Sequence, residues 1–236
     1  MKIFLCGGGS GEKTIMAMKR FSEVIDKTKP LLYIPLAMQS NRYENCYKWI
    51  MEETKSINID KIEMVTTADE LSRKNYDNYC AIFIGGGNTY KLLNDIKKSG
   101  AFGKIKNYIK NGGIVFGGSA GAIIFGKDID TCRYEDDNSV IKIKNTRGFN
   151  VLNGFSLLCH YGKKADQTAL NTTYLKKISK HENIIYLPEK DTIFINENKI
   201  EFIGEEEYCV FKNNSIKVID AKKIDIEKII NDEQYS

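Results

Sequence analysis

The chain has 236 residues, with 35 basic and 31 acidic side chains and a net charge of +4. That length suits one large domain, 1–236, with a core of its own. The mild, interspersed charge does not suggest nucleic acid as the main partner, and none is expected. No apolar run approaches the roughly 18 residues of a membrane span, so no membrane partner is expected.

Lys2 to Cys6 reads as a first strand, too short to be a signal-peptide core. Cys6, Cys46, Cys80, Cys132, Cys159 and Cys209 are scattered and form no Cys-x-x-Cys pair. They read as reduced thiols of a cytoplasmic protein. Neither His160 nor His181 has a ligand-spaced cysteine, so no metal is expected. Gly7 to Gly11 is a loop, and Glu12 to Ile25 carries helical periodicity. Glu12 stands where a Walker loop or a dinucleotide fingerprint needs glycine, so a tight strand-to-helix turn is expected there and no phosphate site.

Leu31 to Pro35 is a buried-type strand. Arg42 to Thr54 is a helix with Tyr43, Cys46, Tyr47, Ile50 and Met51 on one face, and Lys61 to Val65 is another strand. Cys80 to Ile84, nearly all apolar, suits a central parallel strand covered on both faces. It runs into Gly85-Gly86-Gly87-Asn88-Thr89 and a helix through Leu92, Leu93 and Ile96. Free N–H groups of such a loop can hold an anion or a developing oxyanion; Asn88 or Thr89 can equally be a helix cap. A helix from Phe102 to Lys110 feeds the strand that ends in Gly117-Gly118-Ser119-Ala120-Gly121. Gly-x-Ser-x-Gly after an apolar β-branched run is the layout of a nucleophile elbow, with Ser119 at the apex and the Ala120 N–H as an oxyanion donor. A turn that only packs would look similar, so a base must be found elsewhere. Strands alternating with helices predict a doubly wound, mostly parallel α/β sheet flanked by helices, with ligands at the C-terminal strand ends.

Gly126 to Gly148 is polar and irregular and reads as a solvated loop. Leu152 to His160 is a short strand and Asp166 to Ser179 a helix. Ile184 to Leu187, Thr192 to Ile195, Lys199 to Ile203, Tyr208 to Phe211 and Ser215 to Val218 read as antiparallel meandering strands, and Ile224 to Ile230 closes as a helix. His160, at a strand end, is the candidate base, against a structural histidine; His181 lies in a polar connection. Glu189, directly after Leu187-Pro188, is the candidate acid, with Asp191 a close rival and Asp130 a weaker one.

Gly85 to Thr89, Gly118 to Ala122, Cys159-His160-Tyr161 and Leu187-Pro188-Glu189 resemble, in this order, the four motif blocks of the peptidase E family. These are aspartyl dipeptidase-like serine peptidases related to cyanophycinases. The blocks span most of the chain. Ile123 and Lys190 depart from the enterobacterial pattern and place the sequence in a divergent branch. The resemblance implies a class I glutamine-amidotransferase-like fold, no cofactor, and a small peptide substrate. It also implies a triad of Ser119, His160 and Glu189, with oxyanion donors at Gly86, Gly87 and Ala120. A dipeptidase cutting after an N-terminal Asp would want a cation for that side chain, and Arg133, in the polar segment after the elbow, is the candidate, against a surface arginine. Members of the family often form dimers, so a homodimer is among the expectations. A glutamine amidotransferase would carry Cys at the elbow. A cyanophycinase-like hydrolase of β-linked aspartyl peptides would keep the triad. A non-catalytic binding protein would keep only the pocket.

Overall fold

The computed structural model describes residues 1–197 and 199–231. Its larger sheet runs β3 (Ile62–Met64), β2 (Leu31–Ile34), β4 (Ala81–Ile84), β5 (Ile114–Gly118), β1 (Lys2–Cys6), β8 (Thr192–Asn196), β9 (Lys199–Ile203). The first five strands are parallel; β8 and β9 are antiparallel additions. Side chains alternate across the sheet, as the period of a strand requires. Phe4, Phe83, Phe116 and Phe194 stack on one face under α1 (Ile15–Ser22) and α2 (Tyr43–Lys55), with Phe4–Phe194 centroids 4.0 Å apart. Ile3, Leu5, Ile82, Ile84 and Val115 meet α4 (Thr89–Lys98), α5 (Ala101–Lys110) and α6 (Ala120–Ile123) on the other. Tyr47, expected on the buried face of α2, is partly exposed.

The C-terminal strands depart from a simple meander. A smaller sheet runs β11 (Ser215–Asp220), β10 (Glu207–Lys212), β7 (Asn183–Pro188), β6 (Phe155–Tyr161). Within it β6 and β7 are parallel, joined through α7 (Ala165–Ile178), while β8 leaves for the larger sheet. The hairpin of β10 and β11 turns on Asn213 and Asn214, both with positive φ, which a two-residue turn demands. A short helix, α3 (Ala68–Arg73), adds to the elements expected from periodicity. Thr67 accepts from the Glu70 N–H while Glu70 accepts from the Thr66 N–H, a variant of the capping box readable as Thr-x-x-Glu. The last element among the described residues is α8 (Ile226–Asn231), against β9.

The 126–148 segment is no freely solvated loop. Asp130 accepts hydrogen bonds from Tyr90 and Tyr174, both 2.9 Å, and Glu135 accepts from Asn171 at 2.7 Å. Asp136 accepts from the Thr89 N–H at 2.8 Å. These acids fasten the segment to α4 and α7, and its own Cys132 is fully buried.

The β5–α6 crossing is tight. A Cβ on Gly117 would lie 2.2 Å from the Gly121 carbonyl oxygen, and one on Gly121 2.2 Å from that of Ile84. Gly121→Ala must therefore push α6 away from β4, at a cost of about 1–3 kcal/mol. Urea unfolding monitored by circular dichroism measures this; an unchanged midpoint would show that the crossing has slack.

Candidate active site

The register of the sheet sets three loops side by side. Cys6 at the end of β1 pairs with Gly118, and Ile84 at the end of β4 pairs with Gly117. Ser119 follows, its N–H donating to the Cys6 carbonyl at 3.0 Å. Its backbone has φ 52° and ψ −116°, a conformation that L-residues hold only where the surroundings impose it. The strain turns Oγ out of the sheet.

His160 arrives from the smaller sheet. Leu158 pairs with Tyr186 and Tyr161 with Pro188, so β6 carries one residue more than β7 across this interval. That bulge leaves His160 at φ 70° and swings its ring toward Ser119. Nε2 lies 2.8 Å from Ser119 Oγ, and Nδ1 lies 2.9 Å from Glu189 Oε1. Glu189 sits on the turn between β7 and β8, the point where the chain passes from one sheet to the other. The Gly9 N–H donates to its carbonyl at 3.0 Å, and the Gly7 N–H to that of Asp191 at 2.9 Å, tying this turn to the loop after β1.

Glu189 also accepts from Lys13 at 2.8 Å and forms an ion pair with Lys163. Burial alone would raise its pKa; the hydrogen bonds from Lys13, Lys163 and His160 outweigh burial and bring it down to about 2. An ionised carboxylate only accepts, so Nδ1 carries the imidazole proton and Nε2 is free to accept from the Ser119 hydroxyl. Burial, and then the charge of Lys163, lowers the His160 pKa against the pull of Glu189, which keeps the ring neutral near pH 7. A buried, neutral imidazole hydrogen-bonded to a strained serine is equipped to take up the hydroxyl proton.

Among the described residues, the backbone N–H groups of Gly86, Gly87 and Ala120 have no acceptor. A Cβ on Gly86 would lie 3.5 Å from Ser119 Oγ, so this loop approaches the hydroxyl directly. Gly8, read from the sequence only as part of a turn, also belongs here: a Cβ on it would come within 2.5 Å of His160 Cε1.

The model of peptidase family S51 matches residues 3–203. The chain belongs to that family. This S51 peptidase is 24% identical to a Nostoc peptidase E over 78% of the chain and 76% of that protein. It is 23% identical to an Escherichia coli peptidase E over 83% of the chain and 86% of that protein. The solved structure of a peptidase from an acI-B1 actinobacterium superposes with a TM-score of 0.68 at 18% identity, covering 95% of this chain and 96% of that one. It is thus a serine-type peptidase.

Other sequence candidates lie apart from the Ser119–His160 contact. Burial, reinforced by Glu206, raises Asp191 to about 7, and its carboxyl packs against Gly204 in the turn after β9. Asp130 anchors tyrosines. Asn88 caps α4, accepting from the Lys91 N–H and donating to the Asp137 carbonyl. The Thr89 N–H is taken by Asp136. Arg133 is exposed, pairs with Asp130 and lies over the Tyr174 ring, which is the surface-arginine alternative. His181 is exposed. The anion position at the turn after β1 is filled by Glu53, which accepts from the Gly11 N–H at 2.9 Å and from the Thr14 hydroxyl.

If Glu189 orients the His160 imidazole for proton transfer, Glu189→Gln should lower kcat by roughly 10⁴-fold, whereas Asp191→Asn should leave kcat within threefold. Rate assays on purified variants decide between the two carboxylates. The pH profile of kcat/KM provides a second check. A His160 that serves as base must be neutral, so activity should fall as pH drops through its pKa, with a midpoint below 6.5. Glu189 stays ionised throughout that range. A midpoint above 6.5 would contradict this electrostatic account.

Proposed function

We propose that the protein hydrolyses short peptides, in the manner of a dipeptidase, through an acyl-enzyme formed on Ser119. The observation that carries this reading is the continuous hydrogen-bonded chain from Ser119 Oγ through His160 to Glu189, beside backbone donors with no acceptor of their own. His160 accepts the hydroxyl proton as Oγ attacks the scissile carbonyl carbon. Glu189 stabilises the imidazolium that forms. The N–H groups of Gly86 or Gly87 and of Ala120 take the oxyanion, each worth about 3 kcal/mol in the transition state. His160 returns the proton to the leaving amine, which departs as the C–N bond breaks. Water, activated by the same imidazole, then releases the acyl group.

The cavity over Ser119 holds about 490 Å³, a size suited to a small molecule or a short peptide. The resemblance to aspartyl dipeptidase-like enzymes favours an N-terminal Asp on the acyl side. Six buried, unbridged cysteines favour a reducing, cytoplasmic setting.

A dipeptide panel with and without an N-terminal Asp tests the assignment by release of free amino acids. Ser119→Ala should reduce kcat by roughly 10⁶-fold with an unchanged circular dichroism spectrum. Hydrolysis at the parental rate by that variant would remove Ser119 from the mechanism.

A further inference from the structure

We infer that Arg42 is the specificity residue of this cavity and binds a carboxylate of the peptide substrate; this rests on the peptidase reading and adds its charge preference. Arg42, Asn45, Cys46 and Trp49 recur at the spacing of one helical face. Arg42 immediately precedes α2, and together these four residues form the wall of the cavity that ends at Ser119 and His160. The stripe lies next to the buried one of Tyr43, Cys46 and Ile50, so packing α2 on the sheet delivers it to the site.

The chemistry of the wall selects for an anion. No lysine or carboxylate lines the cavity, so the guanidinium is its one permanent charge among the described residues. Arg20, Arg133 and Arg147 are engaged with carboxylates; among the described residues Arg42 and Arg73 have no ion-pair partner, and of these two Arg42 lines the cavity. Trp49 and Tyr33, 6.3 Å between ring centroids, give the cavity an aromatic side. A carboxylate entering there meets a planar donor fork that matches its two oxygens, next to the Asn45 amide. A peptide offers such a group in two places, an acidic side chain or the C-terminus.

Calorimetric titration of the Ser119→Ala protein, which binds without turnover, separates the two sources. The probes are aspartyl-alanine, asparaginyl-alanine and aspartyl-alanine amide. One of the two neutralised analogues should bind about 10- to 100-fold more weakly than aspartyl-alanine. Adding Arg42→Met should weaken aspartyl-alanine to the level of that analogue and cost that analogue nothing further. The analogue affected identifies which carboxylate Arg42 holds. Equal binding of all three probes, an equal loss for all three on Arg42→Met, or no binding of any would each overturn the inference. Hydrolysis of the same dipeptides by the protein with Ser119 intact tests the peptidase reading separately. Turnover without charge discrimination would sink the role of Arg42 alone, and discrimination without turnover would sink the peptidase reading alone.

Discussion

The carboxylate of Glu189 is the point at which the two sheets and the glycine loop after β1 meet. Lys13 reaches it from the helical turn that follows that loop, His160 from β6 and Lys163 from just beyond it, and its own backbone lies on the turn that carries the chain from β7 to β8. Two ammonium groups and an imidazole N–H supply the charge and donors that a buried carboxylate needs to stay ionised. Fixing that one charge fixes the imidazole tautomer, and the tautomer decides which nitrogen faces Ser119. The surroundings of the serine hydroxyl are therefore set two hydrogen bonds away, at a junction that exists only when both sheets are assembled.

Two strained residues face each other across that junction. Ser119 and His160 both hold positive φ, each imposed by its strand: the first by the crowded crossing of β5 and α6, the second by the extra residue in β6. Such conformations cost of order 1–3 kcal/mol each and persist where surrounding packing over-determines them. The packing here is close, with the phenylalanine stack on one face of the larger sheet and the α4–α6 layer on the other. Strain is thus concentrated at the two side chains that approach within 2.8 Å.

Much of this was legible in the sequence. Apolar runs such as Ala81–Ile84 can only be interior strands, and Gly117-x-Ser119-x-Gly121 announces its own sharp turn. What stayed hidden depends on long-range pairing. Nothing local marks the bulge that aims His160, because a bulge is a property of two strands in register. The separation of β7 from β8 into different sheets is likewise invisible in short, evenly spaced strands. The acids of 126–148 read as solvated because an isolated carboxylate prefers water; their partners Tyr90, Asn171 and Tyr174 lie tens of residues away. Arg133 stands near the elbow in sequence, whereas the cavity wall comes from the far side of the sheet, from Arg42 and the first turns of α2.

The central claim is that the environment of His160 and Glu189 activates Ser119. Labelling of the purified protein with a fluorophosphonate, followed by peptide mapping, reads that activation without knowledge of the substrate. The account predicts stoichiometric label on Ser119, lost in Ser119→Ala and strongly slowed in Glu189→Gln. A folded protein that takes no label, or that labels equally fast without the Glu189 carboxylate, would contradict it.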